Sequence, residues 1–128
     1  LKAYRMQDKA RGVGFDWEQK EQVWDKVKEE MGEYQAELDA MAAASSAQER
    51  EDAYVRAEGE LGDYLFAVVN AARLYGLNPD TALERTCAKF KRRFTYLEEH
   101  TIRQGRNLKD MTLAEMDAIW DEAKAKGL

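Results

Sequence analysis

Between Trp24 and Met41 the apolar side chains return in alternating steps of three and four, at Trp24, Val27, Met31, Tyr34, Leu38 and Met41. Residues at that spacing share one face of an α-helix, so the pattern predicts a long amphipathic helix packing in a bundle. Asp16, with Gln19 three residues on, has the form of a capping box and marks its start, and the small polar run AAASSAQ ends it. A second helix is expected from about Glu51 to Tyr75, with Leu61, Leu65, Val68, Ala72 and Tyr75 on its stripe and Gly76 as its C-terminal cap. Asn78-Pro79 opens a third, which carries Leu83, Cys87, Phe90, Phe94 and Leu97 and fades before Gly105. Thr112 with Glu115 caps a short final helix bearing Met116, Ile119, Trp120 and Ala123, and residues 3 to 11 suit an extra turn or two of helix. No stretch alternates as a strand would. The fold class is therefore all-α, a bundle of about four to five helices in a single domain spanning 1–128, with Cys87 as a small core residue.

Composition narrows what such a bundle does. The chain has 128 residues, 45% hydrophobic and 35% charged, with one proline, which suits one helical domain. Its net charge is −5, from 20 basic and 25 acidic residues dispersed along the chain, so no broad basic face marks a nucleic-acid partner. A small anionic ligand fits that balance. The single cysteine cannot form an intrachain disulfide, and no apolar run approaches the roughly 18 residues of a membrane span. With no secretory signal in view, the expected location is the cytoplasm. The chain begins with Leu rather than Met, as an excised domain would.

Beside the first stripe runs a row of charge. Lys26, Glu30, Glu33 and Glu37 fall at i, i+4, i+7 and i+11, and on the second helix Arg56, Glu60, Asp63 and Asn70 fall at i, i+4, i+7 and i+14. Each row opens with a cation and continues with two carboxylates, and antiparallel helices joined by a short linker bring the rows together. If Glu30, Glu33, Glu60 and Asp63 faced one another about 6 Å apart in a partly buried groove, each pair would repel by roughly 2 to 3 kcal/mol at an effective dielectric near 20. A marginally stable domain does not carry that uncompensated. A hard cation resolves it, since an all-carboxylate site favours Mg²⁺, Mn²⁺ or Ca²⁺ over zinc. Solvated acidic faces are the alternative, with little repulsion to resolve. Glu37 has no carboxylate counterpart and reads as a bystander.

On the third helix, Lys89 and Arg93 of KFKRRF share a face next to Phe90 and Phe94. They read either as surface cations or, beside a bound metal, as a phosphate clamp. Trp120 reads as core or as a stacking surface for a base. Other templates fail: GVGF at 12 to 15 has no lysine or preceding strand for a phosphate loop, and His100 belongs to no Glu-x-x-His motif and to no nucleophilic triad.

Taken in order, VGFDW, KVKEEMGE, ELGDYLFAVVN, KFKRRF and the late Trp120 resemble the MazG family of nucleoside triphosphate pyrophosphohydrolases, over about residues 3 to 124. The likeness is greatest to the C-terminal catalytic domain of two-domain members. It implies that Glu30, Glu33, Glu60 and Asp63 form the metal-holding and catalytic set, with Mg²⁺ as cofactor and Mn²⁺ as a substitute. It also implies that Lys26, Arg56, Lys89, Arg93 and Trp120 contact the nucleoside triphosphate. The implied fold is an intertwined homodimer, and the implied reaction yields a nucleoside monophosphate and pyrophosphate, with broad specificity if Trp120 only stacks on the base. Gly59 stands where the family commonly has an acidic residue, and Arg56 where lysine is frequent. Glu29 is a further ligand, a water-positioning group or a solvated residue. Two alternatives remain open: a non-catalytic helical dimerisation module, and a pyrophosphatase specific for one dNTP or modified nucleotide.

Overall fold

The computed structural model describes residues 2–16 and 21–128. Five α-helices follow one another: α1 (Lys2–Gly12), α2 (Gln22–Ala43), α3 (Ala47–Leu74), α4 (Pro79–Arg103) and α5 (Leu113–Ala125), with a 3₁₀ turn at Leu108–Asp110 before the last. No strand occurs among the described residues, and the fold is all-α as the periodicity predicts. The helices fall into two compact units, Leu1–Pro79 and Asp80–Leu128.

In the first unit α2 and α3 pack along their lengths, and α1 lies against α3. The connection between α2 and α3 is short and well capped. The Ser46 hydroxyl accepts from the Glu49 amide at 3.1 Å, and the Glu49 carboxylate accepts from the Ser45 amide and hydroxyl, both at 2.9 Å. That cap starts α3 at Ala47, some four residues before the expected Glu51. α2 starts later than expected, at Gln22, with Glu21 at its N-cap and no side-chain cap. The proposed capping partner Gln19 lies outside the described residues, and the Asp16 carboxylate accepts from Arg73 of α3 instead.

The positions that α2 and α3 bury differ from the expected stripe. The packed row of α2 has Val23 and Glu30 buried and Val27, Tyr34, Glu37 and Met41 half-buried, and that of α3 has Ala53, Ala57, Ala67 and Ala71 buried and Glu60 and Tyr64 half-buried, each series in steps of four and three. Trp24, Met31 and Leu38, which the apolar pattern placed inside, are exposed, and so are Leu65, Val68 and Tyr75 of α3. The reason is steric. Alanines let the two backbones approach closely, so the helices meet along the small-residue face of α3, and the large apolar side chains turn outward.

The second unit has its core where α4 meets α5: Leu97, Met111 and Ile119, flanked by Tyr96, Leu108 and Met116. The buried Thr101 hydroxyl donates to the Leu97 carbonyl at 2.8 Å. Thr112 and Glu115 make the expected capping box. Residues 80–92 of α4 are exposed throughout, so Leu83, Phe90 and Cys87 are not core positions. No core side chain of this unit reaches that half of the helix.

Candidate active site

Glu30, Glu60 and Asp63 each offer a carboxylate oxygen lying within 4.8 Å of the other two. The spacing of the packed rows puts Glu30 and Glu60 there, because each replaces an apolar residue in the packed face of its helix, and Asp63, three residues after Glu60, stands exposed beside them. Lys26, one turn before Glu30, donates to its Oε1 at 2.7 Å and stands 3.7 Å from Glu29. The second oxygen of Glu30 and Oε2 of Glu60 are buried and have no hydrogen-bond partner among the described residues. Leaving a buried acceptor unmade costs about 1 to 3 kcal/mol. Two ionised carboxylates at this spacing repel by roughly 3 kcal/mol at an effective dielectric near 20.

A cation of hard, oxygen-loving character answers both terms, and the donor set of carboxylates without His or Cys fits Mg²⁺, Mn²⁺ or Ca²⁺. The cluster is able to hold such an ion. Glu33, the fourth carboxylate of the sequence pattern, is exposed and stands outside the close group of three. The negative charge of Glu30 beside it, with smaller help from desolvation and from Glu60, raises its pKa above the ordinary carboxylate value.

The cluster opens on a cavity of about 770 Å³ lined by residues of α1, α2 and α3 and the turn after α1. Its charged lining includes Lys26, Glu30 and Asp63, and its apolar lining includes Met6, Phe15 and Phe66. Arg73 is buried in its wall, where it donates to Asn70 Oδ1 and to Asp16 Oδ1, both at 2.8 Å. Periodicity missed Arg73, Asp16 and Gln7 as lining residues. Continuing the Glu60, Asp63, Asn70 row by one more step of three reaches Arg73 and is the signal that would have found it.

The other expected substrate contacts are placed as follows. Arg56 donates to Glu37 at 2.9 Å, a pairing between α3 and α2, and Glu37 stands outside the close carboxylate group. Arg93 and Trp120 meet in the second unit, with the guanidinium carbon 6.0 Å from the indole centroid, and Phe90 lies 5.2 Å from the same ring. The Arg93 Nε donates to the Leu128 carbonyl at 2.8 Å. Lys89 is exposed on α4.

The sequence profile of the MazG nucleotide pyrophosphohydrolase domain matches residues 18–97, more than half of the chain. The chain belongs to the MazG nucleotide pyrophosphohydrolase family. Two relatives extend the likeness over nearly all of it. The nucleoside triphosphate pyrophosphohydrolase/pyrophosphatase MazG of Thermotoga maritima is 34% identical over 95% of the chain, and the nucleoside triphosphate pyrophosphohydrolase of Escherichia coli K12 is 34% identical over 97%. An uncharacterized Bacillus subtilis protein, YabN, is 51% identical over 52% of the chain. The chain spans 42%, 44% and 14% of the lengths of these three relatives, so it corresponds to part of each. Lys26, Glu30, Glu60 and Asp63 all fall inside the region that the MazG profile covers, whereas Gln7, Asp16 and Trp120 fall outside it. Among the described residues no helix is long and apolar enough to cross a membrane.

Proposed function

We propose that this MazG domain hydrolyses nucleoside triphosphates to a nucleoside monophosphate and pyrophosphate, with Mg²⁺ held by Glu30, Glu60 and Asp63 and with Glu33 joining them from the rim. The observation that carries the reading is the pair of buried carboxylate oxygens on Glu30 and Glu60 with no hydrogen-bond partner among the described residues, in a carboxylate-only cluster of which Glu30 and Asp63 line a cavity. Metal bound there would supply neutralisation of the triphosphate charge. Lys26 is placed to hold a phosphate as well as Glu30, because its ammonium has three donors and lines the cavity. Arg56, Lys89 and Arg93 are the further phosphate contacts we assign, and Trp120 the stacking surface for the base. Water attacks the α-phosphorus and the bond to the β-phosphate oxygen breaks, so one oxygen is added to the monophosphate and pyrophosphate leaves.

We further propose that residues 1–128 act as one domain in a homodimer within the cytoplasm, with nucleotide rather than nucleic acid or membrane as partner, and that specificity is broad. Pyrophosphate release from a panel of ribo- and deoxyribonucleoside triphosphates, with and without Mg²⁺, tests the reading. Wild-type protein is expected to release pyrophosphate from several of them only with the metal, and Asp63→Asn or Glu33→Gln to lose at least tenfold in rate. Unchanged rates in both variants would remove the assignment. Absence of any metal-dependent nucleotide binding by calorimetry would favour a helical interaction module, and hydrolysis of a single nucleotide would narrow the substrate.

A further inference from the structure

Gln7 of α1 is 6% exposed and lines the same cavity as Lys26, Glu30 and Asp63. Its Nε2 donates to the Phe66 carbonyl at 2.8 Å, and its Oε1 is buried with no partner among the described residues. The orientation of the amide is fixed by chemistry: a carbonyl can only accept, so the nitrogen must face Phe66 and the oxygen must face away from it. The amide cannot flip without setting two acceptors against each other. What remains is a buried acceptor held rigidly on the cavity wall, and a buried acceptor calls for a donor.

The neighbouring cations do not answer it. Lys26 donates to Glu30, and Arg73 donates to Asn70 and Asp16. Met6 and Ala10, the neighbours of Gln7 on α1 that line the cavity, and the side chain of Phe66 offer an ordered water none of the two to four polar partners it needs. No described residue supplies the donor, which leaves that place to a ligand in the cavity. A triphosphate at neutral pH offers acceptor oxygens alone, which leaves the nucleoside half.

We infer that Gln7 is a substrate-contacting residue whose Oε1 accepts a hydrogen bond from the nucleoside of the bound nucleotide, with the apolar wall of Met6, Phe15 and Phe66 beside it. This rests on the nucleotide reading above and adds a contact from α1. Two groups carry the required chemistry, a sugar hydroxyl and an N–H of the base. Because the amide presents only an acceptor, a nucleoside with both groups blocked has nothing to offer it.

The test is calorimetric binding of nucleoside monophosphates, the products that keep base and sugar without the triphosphate, to wild type and to Gln7→Met. Three ligands are used: the parent ribonucleotide, its sugar-deoxy forms and its N-methylated-base form. Wild type is expected to lose roughly tenfold or more in affinity for one modified ligand. Loss on deoxygenation assigns the sugar, and loss on N-methylation assigns the base. Gln7→Met is expected to bind the parent as weakly as wild type binds that modified ligand, and to show no further penalty for the modification. A structural role alone would lower stability and leave the ratio of affinities unchanged, and that outcome overturns the inference. Should the variant fail to fold, wild type still decides: equal affinity for all the ligands overturns it. Hydrolysis of triphosphates with no effect of Gln7 sinks this inference alone, while nucleotide binding without hydrolysis sinks the reading it rests on.

Discussion

Glu30 and Glu60 occupy steps of the three-four rows at which a bundle helix ordinarily carries an apolar side chain, and each has a buried oxygen without a partner among the described residues. Their charge therefore works against the packing that positions them, which makes the cluster a stability liability until something neutralises it. Replacing Glu60 with Gln removes one charge at nearly constant volume. In EDTA the Glu60→Gln variant is expected to melt at the same temperature as wild type or a few degrees higher. Adding Mg²⁺ at about a hundredfold over its dissociation constant is expected to stabilise wild type by about 2.7 kcal/mol, and the variant by much less. Differential scanning calorimetry reads both, and a variant that melts lower in EDTA and keeps the full metal response would count against the cluster as a metal site. At this scale the sequence was informative about identity and less so about surroundings. The spacing of Glu30, Glu60 and Asp63 named the close group in advance and placed Glu33 with it. Arg73 lies one step of three beyond the Glu60, Asp63, Asn70 row and was passed over, and the lining roles of Asp16 and Gln7 were invisible, because they depend on which side chain sits across a gap between segments distant in sequence.

Helix ends were legible because their signals are local. The α3 C-terminus closes as Gly76 predicts: its φ is +73°, a left-handed conformation that a side chain disfavours, and the amides of Gly76 and Leu77 return to the Arg73 and Ala72 carbonyls, both at 2.9 Å. The α5 start closes as Thr112 and Glu115 predict. Glu115 is also held by Arg106, and chiefly that hydrogen bond, with the Thr112 amide, lowers its pKa from 4.5 to about 2. The folded value lies below the unfolded one, so the interaction contributes fully above pH 4.5 and is lost as pH falls toward 2. Thermal melting between pH 6 and pH 2 is expected to fall less steeply for Glu115→Gln than for wild type, and parallel curves would show that the group does not couple to stability. Replacing Thr112 with Ala should destabilise by about 1 kcal/mol in urea titration. What the sequence hid at this scale was rotation. Apolar bulk pointed to Trp24, Met31 and Leu38 as the inward row, yet the alanines of α3 contribute little to a hydrophobic pattern while permitting close approach, and they decide which face of α2 is covered.

For the chain as a whole, large apolar side chains stand exposed on α2 and α3, with Leu65 at 55% and Trp24 at 46%, and on α4, with Leu83 at 64%. A second copy is the partner we propose for them. Sedimentation velocity at micromolar concentration is expected to give a dimer, and Leu65→Lys should shift it toward monomer without unfolding α2 and α3. A compact, active monomer would refute the proposal. The all-α class followed from periodicity, since every helix is long enough to show its repeat. The division of contacts between one chain and a second copy did not, because one apolar stripe serves either purpose.

The brief connection at 44–46 has a kinetic corollary. Two helices joined by so short a link make mostly local contacts and rank among the fastest structures to assemble. Glu30 sits on one arm of that hairpin and Glu60 on the other, so the act that zips the arms together also drives like charges into proximity. Their antagonism is then felt on the way up the folding barrier, as a brake on closure more than a spur to opening.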